Sequence, residues 1–256
     1  MLLAALPVLS FGCASNRPAL VPVGMVTHAQ RPEERASTLI VFLPGKRSRA
    51  GDFDRNGFID AARARGIDAD LVEADLQLSY YEDGTYSRRL WEDVVAPARA
   101  AGYQRIWIVG ISLGGSGAIG FAREHPDAVA GLVLLSPWLG PPQVGDTIRA
   151  AGGLAAWTPD PRADAGGFEW FVIANWGFLK TVCATQGRTP PLTLGYGLDE
   201  PMEPAFDLLA AALPADRVVR VPGGHRWKTW RGLWEEILAR HVFDMPSEAS
   251  GDQAPR

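Results

Sequence analysis

The chain has 256 residues, 47% of them hydrophobic, and a formal charge of −4, which is enough apolar material for one large core and a length common for a single α/β domain. No basic face is evident beyond short clusters such as Lys46-Arg47 and Arg88-Arg89, so there is no electrostatic footprint for nucleic acid. Two cysteines, Cys13 and Cys183, build neither a disulfide framework nor a metal site, and no histidine pair stands at metal-ligand spacing; chemistry without a metal or cofactor is expected.

Leu2 to Gly12 is an apolar run too short to span a bilayer but as long as the apolar part of a signal peptide, and it ends at Gly12-Cys13-Ala14. It resembles a bacterial lipoprotein signal. That resemblance implies a signal peptide over residues 1–12, a lipid anchor on Cys13 and residence at the cell envelope. The run lacks a preceding Lys or Arg and has Ser10 and Phe11 where Leu and a small residue are typical; the alternative is a cytoplasmic chain with an apolar N-terminus. With Cys13 lipidated, Cys183 is left as a small buried hydrophobe. Asn16 to Ser37, with Pro18, Pro22 and Pro32, reads as an extended leader or tether, residues 13–37 in all, with one edge strand near Val23 to Thr27.

The folded body is expected from Thr38 to Val242. Strand-like runs at Thr38-Leu43, Ala69-Glu73, Arg105-Val109, Gly131-Leu135, Leu192-Tyr196 and Arg217-Val221 alternate with helical patterns at Phe58-Arg65, Ser87-Ala100, Gly117-Glu124, Glu203-Leu213 and Trp227-Arg240. The alternation predicts an α/β fold, a mostly parallel sheet with helices on both faces. The interval from Trp138 to Gln186 is too long for a plain crossover. It reads as a cap-like insertion over the top of the sheet, with Trp157, Phe168, Trp170, Phe171, Trp176 and Phe178 either lining an apolar acyl or aryl site or packing the insertion onto the body. Residues 243–256 read as a polar, disordered tail.

Gly110-Ile111-Ser112-Leu113-Gly114 closes the Arg105 strand and opens a small-residue helix, which is the setting of a nucleophile elbow. A serine at so sharp a turn exposes its Oγ, and a β-carbon two residues before or after it would strike the neighbouring chain. The overlapping Gly115-Ser116-Gly117-Ala118-Ile119-Gly120 spells GxGxxG, but it starts well after Val109 and the next strand ends in Ser136-Pro137 rather than an acid, so a dinucleotide turn is excluded.

A serine hydroxyl needs a base, and the base needs an orienting carboxylate. Of the four histidines, only His225 follows a strand and precedes the last helix, on a loop freed by Gly223 and Gly224. Chain order places the acid after the Leu192 strand, at Asp199; the adjacent Glu200 can exchange roles with it, and Asp207 reads as a helix residue facing water. The oxyanion donors are expected from the backbone N–H groups of Leu113 and Lys46. The Lys46 and Arg47 side chains could attract an anionic substrate, although bases in a turn are more often solvated surface. Lys46, Ser112, Asp199 and His225 each follow the carboxyl end of a different strand, the edge where open α/β sheets bind ligands.

On these residues the chain resembles the α/β-hydrolases, over roughly Thr38 to His241. The resemblance puts the elbow on Gly110–Gly114, the base on His225, the acid on Asp199 and the first oxyanion turn on Pro44-Gly45-Lys46, where Pro44 replaces a common His. Leu43-Pro44-Gly45, Tyr80-Tyr81 and Ile106–Ser112 are similar to uncharacterised bacterial members, some of them lipoproteins. The implied activity is hydrolysis of an ester or thioester through an acyl-enzyme, with a small-molecule acyl substrate, and it is expected to fall as acid protonates His225. The alternatives are an acyltransferase using the same triad and a non-catalytic binding protein of that fold.

Overall fold

Runs of Val, Ile and Leu that are apolar at every position cannot alternate a wet and a dry face, so they pair into a sheet covered on both sides. The computed structural model describes residues 17–31, 33–159, 168–185 and 190–244. Its seven strands are β1 (Met25–His28), β2 (Thr38–Leu43), β3 (Asp70–Ala74), β4 (Arg105–Ile111), β5 (Gly131–Leu135), β6 (Leu192–Gly197) and β7 (Val218–Val221), in the order β1-β3-β2-β4-β5-β6-β7. Strands β2 to β7 run parallel, and β1 lies antiparallel on β3. Strands β2, β5 and β6 are buried at every residue.

Alternate side chains of these strands feed two cores. One face packs Ile40, Phe42 and Val109 under α1 (Asp52–Arg55), α2 (Phe58–Ala64) and the last helix, α10 (Trp227–Ala239). There Phe42 meets Phe53 at 4.8 Å between ring centroids and Trp234 at 5.5 Å. The other face packs Leu39, Val41 and Ile108 under α3 (Leu78–Glu82), α4 (Tyr86–Leu90), α5 (Ala96–Ala100), α6 (Leu113–Glu124), α7 (Pro142–Ala150), α8 (Phe168–Ala184) and α9 (Glu203–Ala210). The single helix expected over Ser87–Ala100 is α4 and α5 joined by a π-helical turn, Trp91–Val95. Pro97 has no N–H to give the carbonyl four residues back, which disturbs the ladder there.

Two boundaries differ from the sequence reading. The leader is no free tether from residue 17 onward: Arg17 pairs with Asp75 at 2.6 Å, the Tyr80 hydroxyl donates to the Leu20 carbonyl and accepts from its N–H, both at 2.9 Å, and Val23 N–H donates to Asp93. Short prolyl segments gave no periodicity from which such side-chain anchors could be read. At the other end Phe243 belongs to the core, buried with its ring 5.0 Å from that of Trp107. The insertion expected over 138–186 falls between β5 and β6, with α8 packed against α6. Trp157, Phe171 and Trp176 are buried there, while Trp170 stands exposed against the Arg123 guanidinium. Burial pushes the Cys183 thiol up to about 12. The apolar run through Gly12, Cys13, the Phe168 side chain and the tail beyond 244 lie outside the described residues.

The elbow glycines meet the steric demand that predicts them. A β-carbon on Gly110 would collide with the Gly114 carbonyl, and one on Gly114 with the Leu43 carbonyl at the end of β2. Gly114→Ala is therefore expected to cost about 1–3 kcal/mol of stability, the scale of an overpacked core, read as a lowered urea midpoint. An unchanged midpoint would mean that β2 and α6 are not so closely apposed.

Candidate active site

Strand β4 ends at Ile111 and α6 begins at Leu113, so Ser112 alone must turn the chain. It does so at φ 52°, ψ −115°, a left-handed backbone unusual for any residue with a side chain. Strain of this kind costs on the order of 1–3 kcal/mol and persists only where surrounding contacts over-determine it. Here the Ser112 N–H donates to Leu135 O at 3.1 Å, and its carbonyl accepts the N–H groups of Gly115 at 3.0 Å and Trp138 at 2.8 Å. The Oγ is left facing His225, whose Nε2 lies 3.0 Å away.

The other imidazole nitrogen decides the acid. His225 Nδ1 lies 2.7 Å from Glu200 Oε2, and the Glu200 side chain is wholly buried. The expected Asp199 is not at the histidine. Leu198 N–H donates to Val221 O and Asp199 N–H to Gly223 O, both at 3.0 Å, so the chain beyond β6 stays paired to the loop that carries His225. The Asp199 carboxylate accepts the Gly223 N–H at 3.0 Å. It fixes the loop that aims the base, while Glu200, one residue on, turns inward beneath the imidazole. Asp207 is on α9, where it accepts the Tyr196 hydroxyl at 2.6 Å; burial, with that bond second, pushes this phenol up to about 12.

A buried carboxylate needs its second oxygen satisfied as well. Glu200 Oε1 accepts from Gly197 N–H at 3.1 Å and from the Ser136 hydroxyl. Ser136 in turn accepts the Trp230 indole N–H at 3.1 Å, and the Trp230 ring stands edge-on to His225 at 4.9 Å. Ser136 is fully buried and, like Ser112, holds a left-handed φ, 46°. Neither Ser136 nor Trp230 is singled out by the sequence. Ser136-Pro137 reads there only as a strand end, and Trp230 only as a residue of the last helical pattern.

The expected oxyanion donors lie at the elbow. Leu113 is the first residue of α6, where an N–H has no intrahelical acceptor. A β-carbon on Gly45 would sit 3.4 Å from that of Ser112, so the Gly45-Lys46 turn passes beside the nucleophile. Among the described residues neither N–H has a hydrogen-bond partner. On the α8 side, Trp138, Leu139, Phe171, Asn175 and Trp176 help line a small cavity of about 10 Å³, room for about one water. Asn175 donates to Ser116 O at 3.1 Å, and its buried Oδ1 has no partner. Among the described residues no group of three or more His, Cys, Asp or Glu could hold a metal ion.

A parallel sheet wound on both faces, with a strained serine after β4 and a histidine after β7, is the α/β-hydrolase fold, and this chain has it. A family model described as the alpha/beta hydrolase fold matches residues 72–163. Among solved structures, the chain is similar to Est1E from Butyrivibrio proteoclasticus at a TM-score of 0.60 and 17% identity, covering 87% of this chain and 93% of that one. It is also similar to a ferulic acid esterase (TM-score 0.57, 16% identity, 86% and 97% covered) and to an S-formylglutathione hydrolase from Staphylococcus aureus (TM-score 0.54, 18% identity, 82% of each). No curated protein sequence matches.

Ser136→Ala removes one donor from Glu200 and strands the Trp230 N–H in the core. The expected cost is about 1–3 kcal/mol in urea unfolding, the penalty for a buried polar group left unpaired. A change within error would mean that water replaces the hydroxyl without loss.

Proposed function

We propose that the chain is a serine hydrolase of the α/β-hydrolase family that cleaves a carboxylic ester or thioester through an acyl-enzyme. The observation that carries this reading is the unbroken relay from Ser112 Oγ to His225 Nε2 at 3.0 Å and from His225 Nδ1 to Glu200 at 2.7 Å. The esterases and the hydrolase among the similar structures support the same class of chemistry.

In the proposed mechanism His225 Nε2 takes the Ser112 proton as Oγ attacks the carbonyl carbon. The N–H groups of Leu113 and Lys46 hold the oxyanion, and Glu200 keeps the imidazole oriented and balances its charge. Collapse of the tetrahedral intermediate breaks the bond from carbonyl carbon to the leaving oxygen or sulfur, which departs with the proton from His225. Water, deprotonated by the same nitrogen, then attacks the acyl-enzyme and returns Ser112. Asp199 positions the His225 loop and touches no reacting atom. The membrane attachment through a lipidated Cys13 is part of this proposal, and the mass of the mature N-terminus from the native host tests it: a chain that starts upstream of Cys13 without lipid contradicts it.

A fluorophosphonate probe is expected to label the wild-type protein and not Ser112→Ala; a well-folded wild type that stays unlabelled would overturn the reading. On a short-chain ester, Glu200→Ala is expected to lower kcat by roughly 10³–10⁴-fold, the scale of losing a triad carboxylate. Asp199→Ala is expected to lower it by less than about tenfold, because the His225–Glu200 contact remains; the reverse ranking would return the acid to Asp199.

A further inference from the structure

Two loops flank the nucleophile, and both are basic although the chain is acidic overall. Pro44 to Ala50 holds Lys46, Arg47 and Arg49 and no acid, and Pro222 to Lys228 holds Arg226 and Lys228 and no acid, in a chain of net charge −4. All five cations are exposed, and among the described residues none has a hydrogen-bonding or ion-pairing partner for its side chain.

The fold sets these loops side by side. Ser48 N–H closes a turn on Gly45 O at 3.0 Å, Ala50 N–H donates to Asp75 at 3.0 Å and Gly51 N–H to Glu73 at 2.6 Å, which fixes the first loop against β3. Trp227, between Arg226 and Lys228, packs its ring 5.3 Å from Phe53 and 5.8 Å from Phe58, which brings the start of α10 against the helices that follow the first loop. Apart from the exposed Asp54 on α1, the neighbouring acids have other partners. Glu73 holds backbone N–H groups and His28, Asp75 holds Arg17, Asp52 holds Arg55, Asp199 holds Gly223 and Glu200 holds His225. The five cations thus form a predominantly basic rim over the α1/α10 face, with Asp54 and Asp199 the exposed acids beside it.

We propose that the site takes an ester or thioester whose leaving alcohol or thiol carries an anionic group, a carboxylate or phosphate, held by this basic rim. The assignment rests on the hydrolase reading above. The anion belongs to the leaving half because His225 must hand its proton to the leaving atom, and Arg226 follows His225 directly. A single exposed cation contributes little. Several of one sign around a cleft raise the local concentration of an oppositely charged substrate, and Arg forks match carboxylate or phosphate in shape. The chemistry is the hydrolysis already described: water supplies a hydroxyl to the acyl group, and the alcohol or thiol leaves with a proton.

The test compares the butyrate esters of 3-hydroxybenzoate and 3-hydroxybenzamide, which differ in charge and little in shape. At low salt the wild-type kcat/KM is expected to favour the anionic ester by about tenfold or more, a difference of about 1.4 kcal/mol. The ratio should fall toward one as NaCl rises from roughly 10 mM to 0.5 M, where the Debye length shrinks severalfold. It should also fall toward one in the Arg47→Gln/Arg226→Gln/Lys228→Gln protein, with folding checked by circular dichroism. A wild-type ratio near or below one overturns the proposal, and so does a high ratio that neither salt nor the triple substitution reduces. If neither ester is cleaved, the hydrolase reading fails separately, and binding decides the rim: the wild type should bind N-butyryl-3-aminobenzoate about tenfold more tightly than N-butyryl-3-aminobenzamide, and equal binding overturns it.

Discussion

A carboxylate with no solvent exposure survives inside a protein only if its charge is met on every side. Glu200 is such a group, and its partners organise the catalytic edge of this molecule: His225 on one oxygen, Gly197 N–H and the Ser136 hydroxyl on the other. Each contact also constrains a neighbour. Ser136 must hold a left-handed turn at the end of β5 to reach the carboxylate, and Trp230 donates to that hydroxyl while bordering the imidazole. Three strands and the last helix are thereby locked around one ring, whose far nitrogen has a single direction left, toward Ser112.

The sheet supplies the rest of the order. Because β2 and β4 are parallel neighbours in register from Thr38–Arg105 to Leu43–Gly110, their carboxyl ends finish level, and the turn after β2 passes beside the elbow after β4. Gly114 allows that approach by offering no side chain to the Leu43 carbonyl. The two faces of the sheet then give the edge two characters. Helices α1 and α10 raise basic loops on one side, and α6 and α8 leave aromatic rings on the other.

Much of this was legible in the sequence, for identifiable reasons. The inner strands are continuous apolar runs that no surface segment imitates, and the elbow combines a strand end, a serine and two glycines whose absent β-carbons are each required. His225 could be found because only one histidine follows a strand. The acid was placed one residue too early, on Asp199 rather than Glu200. Which of two adjacent carboxylates turns inward depends on the pairing of Leu198 and Asp199 with Val221 and Gly223, a contact between segments distant in the chain. Ser136 carried no signal, since its role exists only once Glu200 and Trp230 surround it. The leader's anchors carried no signal for the same reason, since Arg17 and Leu20 find partners on Asp75 and Tyr80, far along the chain, while its edge strand appears as β1.

The central claim is that His225 is oriented by Glu200 and not by its neighbour. Proton NMR of the imidazole Nδ1–H tests this most directly, because a proton shared with a buried carboxylate resonates far downfield and exchanges slowly. The account predicts such a resonance in the wild-type protein, its persistence in Asp199→Ala and its loss in Glu200→Ala. A downfield proton that survives Glu200→Ala and vanishes in Asp199→Ala would contradict it.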